Sequence, residues 1–263
     1  MSTRRLGVDL LDQLAAEGRS TVTTVEVRDR LGLAPQAASN LLSRLARAGF
    51  VERVRRGEFL LHPLGELGVS AVAGDRLVEA VVLAVGDRRH RICYRTALAE
   101  HSLLTRPGRT IQVAVDRRLY LKTLSGRRLE SIIEDADLIE VGAEPLGPAM
   151  ISSIERALLE SAEVPRRVGG IASVAEALTS ADFDSVCLES LAKEIGLEHG
   201  LRRLVSLHGQ LGIGPLGGIT LSAREGRPLV LDPTDSRRAG FLDEGSGVRW
   251  PGDPAELAEV IGQ

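Results

Sequence analysis

Leu6, Leu10, Leu11 and Leu14 recur at the spacing of one helix face, and Gly18 ends that segment. After a polar connection through Arg19 to Thr23, the run Thr23-Thr24-Val25-Glu26 has the form of a capping box. There the hydroxyl and the carboxylate each take a backbone amide that the first turn of a helix leaves without a partner. The helix it opens carries Val25, Val27 and Leu31 and stops at Gly32. Pro35 suits the first position of a third helix, because its missing N–H has no use there, and this helix runs to Ala48 and closes at Gly49. Phe50 to Arg56, then Gly57, then Glu58 to Leu61 read as a strand, a tight turn and a second strand. Three short helices followed by a hairpin predict a winged helix-turn-helix over residues 1–65, with Pro63 to Gly68 as its exit linker.

Residues 66–263 mix both periods, so the fold class is α+β, a winged helix-turn-helix followed by a mixed α+β C-terminal domain. Helices are predicted over Arg76–Val85, Tyr94–His101, Pro148–Glu163, Ala172–Thr179, Asp184–Ile195 and His199–Leu211. Strands are predicted over Thr110–Val115, Asp137–Val141, Ile219–Ser222 and Leu229–Leu231.

The third helix divides cleanly. Ala38, Leu41, Leu42, Leu45 and Ala48 fall on one stripe, which must pack on the first two helices. The opposite face presents Gln36, Asn40, Ser43 and Arg47, flanked by Ser39 and Arg44. Amide side chains pair with adenine and arginine with guanine, so these are residue types that read base edges in a major groove. Any amphipathic surface helix has a polar face, and some winged helices bind protein instead. What favours DNA is the company the helix keeps. Arg53, Arg55 and Arg56 sit beside the turn at Gly57, where a wing meets phosphate or the minor groove. Arg4 and Arg5 read as a solvated end, with a minor-groove arm as the alternative.

The net charge of −3 conceals a segregation. Residues 1–62 carry ten arginines against seven acids, residues 87–128 eleven basic residues against three acids, and residues 129–263 hold the acidic excess. A local field follows local charge, so the acidic total does not exclude a nucleic-acid partner. The basic segment 87–128 is either a solvated face or a second phosphate- or partner-binding surface; with only Tyr94 and Tyr120 among its cations, single-strand stacking is disfavoured. The chain has 263 residues, 43% of them hydrophobic, enough for packed cores. No run reaches the roughly eighteen apolar residues of a membrane span, and the first residues break into charge too soon for a signal peptide. The expected setting is the cytoplasm. Cys93 and Cys187 form no CxxC pair and read as small buried residues rather than metal ligands.

Other constellations carry little chemistry. Gly212, Gly214 and Gly217 match G-x-G-x-x-G literally, but a helix precedes them and a predicted strand follows, the reverse of a dinucleotide fold. Glu189 and Lys193 have the spacing of a surface ion pair. No HExxH, nucleophile elbow or P-loop occurs, so neither catalytic residues, metal nor cofactor is expected.

Beyond the first domain, Tyr94-Arg95-Thr96-Ala97-Leu98-Ala99-Glu100-His101-Ser102-Leu103-Leu104-Thr105 resembles the motif that follows the N-terminal domain in AbiEi-type antitoxins of type IV toxin–antitoxin systems. Ile151 to Glu160, then Gly169-Gly170, is similar to that family's next helix and glycine pair. The resemblance covers about residues 10–210, with Glu160 standing where an aspartate is expected and Ser102 where a glycine is. It implies an autorepressor that binds its own operator as double-stranded DNA through the N-terminal domain. It also implies a functional partner, a nucleotidyltransferase toxin, countered by the C-terminal domain. The alternatives are a stand-alone regulator with a ligand-sensing or oligomerisation domain, and a nucleic-acid-processing enzyme.

Overall fold

The computed structural model describes residues 3–62, 75–214, 216–222, 226–235 and 240–261; the expected linker, Pro63 to Gly68, lies outside the described residues. In chain order the elements are α1 (Thr3–Ala16), β1 (Thr21–Thr23), α2 (Thr24–Leu31), α3 (Pro35–Arg47), β2 (Val51–Arg55), β3 (Glu58–Leu61), α4 (Asp75–Val85), β4 (His90–Ile92), α5 (Tyr94–Glu100) and β5 (Thr110–Val115). There follow β6 (Thr123–Leu124), β7 (Arg127–Ile133), β8 (Ala143–Leu146), β9 (Ala149–Ser152), α6 (Ile154–Glu163), α7 (Ile171–Ser180), α8 (Ser185–Glu194), α9 (Glu198–Leu211), β10 (Leu229–Val230), β11 (Leu242–Asp243), β12 (Val248–Arg249) and α10 (Pro254–Ile261). The chain is α+β, and it forms two compact units: residues 1–88 with 119–130 and 147–149, and residues 89–118 with 131–146 and 150–263.

In the first unit, Leu10, Leu11 and Leu14 of α1, Val27 of α2, Ala38, Leu41, Leu42 and Leu45 of α3, and Val22, Val51 and Phe59 of the strands form one buried cluster. Burying a side chain of this size stabilises by about 1.5–3 kcal/mol before entropy is counted. Gly7 lets α1 close on α3: a Cβ there would stand 2.9 Å from Leu41 Cδ1. Thr23 caps α2 by accepting from the Glu26 amide at 3.1 Å, and Gly32 ends it at φ 61°, in the left-handed region glycine tolerates. Only half of the expected capping box forms, because the Glu26 carboxylate is taken by Arg19 and Arg30, each at 3.2 Å. The segment Arg19–Thr23 is not wholly a connection. Its last three residues make β1, which pairs with β3 through Thr21↔Leu60 and Val22↔Phe59, giving a sheet in the order β1-β3-β2. Helix α4 packs on β2.

In the second unit β4 lies between β5, antiparallel through Ile92↔Val113, and β9, parallel through Ile92↔Ile151. Helix α5 packs on β5, and α6 packs with α5, α7, α8 and α9. Gly200 permits the α6–α9 crossing, since a Cβ there would meet the Leu159 carbonyl at 2.4 Å. Three expectations need correction. The helix predicted over Pro148–Glu163 begins instead as β9, because Ile151 pairs with Ile92 and Ser153 caps the helix proper from Arg156 N at 3.3 Å. Ile219–Ser222 is not a strand. Nor is Asp137–Val141: it is a run of turns whose carbonyls accept from guanidiniums rather than from a neighbouring strand.

Those guanidiniums belong to Arg91 and Arg156, each 1% exposed. Arg91 donates to Ile139 O at 2.6 Å, Ser152 Oγ at 2.9 Å, Glu134 at 3.0 Å and Glu160. Arg156 donates to Glu160 at 2.9 Å, to Glu134 and to the Leu138 and Val141 carbonyls. Two cations thus meet two carboxylates, and Glu160 also accepts from Ser152 Oγ at 3.1 Å. A buried charge is tolerated only when paired and hydrogen-bonded. Glu160→Ala leaves both guanidiniums short of a counter-ion and should destabilise the second unit by about 3–5 kcal/mol. Urea unfolding of the full chain measures it, and a loss within about 1 kcal/mol, the ordinary effect of a point substitution, would contradict this account.

Candidate nucleic-acid interface

Helix α3 presents the anticipated division except at Ala48, expected on the packed stripe but exposed as the residue that ends the helix. Ala38, Leu41, Leu42 and Leu45 are buried. Gln36, Asn40, Arg44 and Arg47 are exposed, and Ser39 and Ser43 half-buried between the two sets. Gln36 Nε2 donates to Asn40 Oδ1 at 3.1 Å, one turn apart on the same face. That bond holds two amide groups side by side, each retaining further donors and acceptors. Among the described residues the side chains of Arg44 and Arg47 make no ion pair or hydrogen bond.

The hairpin of β2 and β3 follows, with a register shift between Arg53 and Arg55. Gly57 turns at φ 81°, and its carbonyl accepts from the Thr24 amide at 2.8 Å and from Thr24 Oγ1 at 3.3 Å. The wing tip is therefore tied to the start of α2. Arg53, Arg55 and Arg56 are all exposed, but they are not equivalent. Arg55 pairs with Glu58 at 3.8 Å and lies against Gly86, where a Cβ would stand 2.1 Å from its guanidinium. Arg53 touches only the Arg55 carbonyl, at 3.5 Å, and Arg56 has no charged partner among the described residues.

The arginines around α2 behave in the opposite way. Arg19 pairs with Glu26, Arg28 with Asp29 at 2.7 Å, and Arg30 with Glu17 at 2.7 Å and with Glu26. The Arg30 guanidinium, by hydrogen bonding, holds the Glu17 carboxyl below its ordinary value, and Arg28 does the same for Asp29. Within one small domain, then, cations near α2 are neutralised while those on α3 and at the wing tip mostly are not.

The basic segment 87–128 is not a single patch. Arg91 is buried in the network above, and Arg95 holds Ser173 Oγ at 3.2 Å, Arg106 O at 3.0 Å and the Val168 carbonyl. Arg88 binds the Val85 carbonyl at 2.9 Å. The segment is also divided, residues 119–130 belonging to the first unit. Counting charge along the chain could not separate these roles, although the Ser125-Gly126 pair signals a turn. Cys93 is buried, and burial pushes its thiol well up; Cys187, expected to be buried, is exposed. No group of three or more metal-ligating side chains occurs among the described residues. No helix among them is long and apolar enough to cross a membrane. Gly212 caps α9 at φ 66°.

The three helices, the winged sheet and the polar face of α3 define a winged-helix module. Residues 9–62 match the family model described as a transcriptional regulator, AbiEi antitoxin, which bears out the resemblance to AbiEi-type antitoxins in the N-terminal region. The whole chain is similar in fold to the RV2827C protein of Mycobacterium tuberculosis, seen in a crystal structure. The two share 18% identity and a TM-score of 0.66, over 97% of this chain and 94% of that one. No curated protein matches the chain.

Because Asn40 and Arg47 are exposed and hold nothing in the core, Asn40→Ala and Arg47→Ala should each change stability by no more than about 0.5 kcal/mol. Chemical denaturation checks this. A larger loss would mean that the polar face of α3 is a packing surface.

Proposed function

We propose that this chain is an antitoxin of a type IV toxin–antitoxin system that binds its own promoter as an autorepressor and counteracts a nucleotidyltransferase toxin. In this reading residues 1–65 hold the DNA-binding domain and residues 66–263 the antitoxin domain, with no catalytic residue, metal or cofactor involved. The observation that carries it is the partition of charge in the winged helix: acids neutralise Arg19, Arg28 and Arg30, whereas Arg44, Arg47 and Arg56 stand without a counter-ion among the described residues. An exposed cation with no partner is a phosphate site that costs no ion pair to use.

Gln36, Ser39, Asn40, Ser43, Arg44 and Arg47 face the major groove in this arrangement. Asn40 suits a bidentate contact to adenine and Arg47 one to guanine. The wing residues Arg53, Arg55 and Arg56 take phosphate, Arg55 the least because Glu58 already holds it. The match of residues 9–62 to a regulator family supports the repressor role.

Asn40→Ala and Arg47→Ala should each cost about 1–3 kcal/mol on the chain's own promoter and relax specificity at one base pair. A gel shift on that promoter and on its scrambled counterpart measures both. If the two variants bind both duplexes as the wild type does, α3 does not read bases.

Protection against the toxin should be separable from groove reading. With the toxin gene induced beside it, the Asn40→Ala/Arg47→Ala chain should rescue growth as well as the wild type does. Loss of rescue at constant toxin and antitoxin levels would place neutralisation in DNA binding and end the two-domain assignment.

A further inference from the structure

Residues 119–130 leave the second unit and join the first. There β6 and the start of β7 pair through Thr123↔Arg128 and Leu124↔Arg127. The two residues between, Ser125 and Gly126, take φ of 52° and 70°, the paired positive values that a type I′ hairpin turn requires. The tip of this hairpin is docked on the wing. The Ser125 amide donates to both carboxylate oxygens of Glu52 on β2, at 3.0 and 2.8 Å, and α4 packs on β2 and β6 alike. Leu124 is fully buried and Leu129 nearly so, which fixes the hairpin's inner side.

The hairpin also carries two cations, Arg128 opposite Thr123 and Lys122 opposite Leu129 at the hairpin's open end. Lys122 and Arg128 are exposed, and neither has an ion pair or side-chain hydrogen bond among the described residues. Tyr120, two residues before Lys122, is 88% exposed, the most open of the large hydrophobic side chains described. An aromatic ring left in water, and two cations without partners among the described residues, are not accounted for by packing within the chain. All three side-chain types donate to phosphate oxygens. Docking through Glu52 ties the hairpin to β2, the strand that also carries Arg53 and Arg55.

We propose that the Leu119–Glu130 hairpin is a second DNA-contacting finger of the winged-helix unit, in which Lys122, Arg128 and Tyr120 take backbone phosphates beside those met by the wing. The inference rests on the DNA-binding reading above and extends it, taking residues 119–130 out of the stretch assigned there to the antitoxin domain. Specificity stays with α3, and the finger adds affinity that is blind to sequence.

Because the targets are phosphates, a random-sequence duplex is the probe. Fluorescence anisotropy of the full chain is followed across a salt series. For Lys122→Ala/Arg128→Ala the slope of log K against log salt should become shallower by about two, close to 0.9 for each phosphate that is no longer neutralised. Tyr120→Ala should weaken binding with little change of slope, and all variants should melt as the wild type does. Glu52→Ala gives a test of sign. Removing a negative charge near DNA strengthens binding by Coulomb attraction alone, whereas undocking the finger weakens it; weaker binding is expected, and stronger binding contradicts the docking. If the Lys122→Ala/Arg128→Ala slope is unchanged while Arg44→Ala/Arg47→Ala lowers affinity, the finger is not in the interface and the proposed function survives without it. A wild-type chain that binds no duplex overturns both.

Discussion

The packing of α3 is the constraint from which the rest of the winged helix follows. A thirteen-residue helix that buries Ala38, Leu41, Leu42 and Leu45 against α1, α2 and the sheet has its rotation about its own axis fixed. Interiors pack at near-crystalline density, so the stripe cannot turn by even one residue without opening a void at Gly7 or forcing Leu41 into α1. Once that rotation is set, Gln36, Asn40, Arg44 and Arg47 have no choice but to face outward. The polar face is the consequence of the apolar one.

The second unit solves a different problem with the same residue type. Arg91 and Arg156 are buried with Glu134 and Glu160, and Arg202 and Arg203 are buried on carbonyls of neighbouring segments, among them Ser246 O at 3.0 Å and Ala162 O at 2.8 Å. Each guanidinium offers five donors in a fixed plane, so a single side chain satisfies several loop carbonyls that no strand reaches. Arginine here serves as internal scaffolding, and the same residue without a partner on α3 or at the wing serves as an outward charge. Where the carboxylates lie decides which role applies.

That division explains what the sequence disclosed and what it did not. The leucine stripe, the Thr23 cap, Pro35 at the start of α3 and Gly57 in the wing turn are local signals, and each landed where periodicity and backbone chemistry put it. Asp137–Val141 misled because Leu138, Ile139 and Val141 make a short apolar run that includes the β-branched types strands favour, while its carbonyls answer to two guanidiniums, one of them 48 positions away in the case of Arg91 and Ile139. Ala149–Ser152 misled because nothing local distinguishes a strand that pairs with Ile92 from the first turn of α6. Strand β1 has only three residues, too few to show an alternation. The identities of the polar residues on α3 were legible. The pairing of Arg30 with Glu17 was not, since the two meet across thirteen positions, nor was that of Arg19 with Glu26; only Arg28–Asp29 and Arg30–Glu26 are local. The Glu52–Ser125 hydrogen bond spans 73 positions and leaves no trace in any local pattern.

The central claim is that the unpaired face of α3 and the wing, and not the neutralised surface around α2, meets DNA. Backbone amide shifts of the labelled chain, titrated with a duplex of its own promoter, test this most directly. The account predicts that Asn40, Ser43, Arg47, Arg53 and Arg56 move together and saturate at one concentration, while Arg28 and Arg30 stay in place. Movement confined to Arg28, Arg30 and their neighbours, with α3 unaffected, would contradict it.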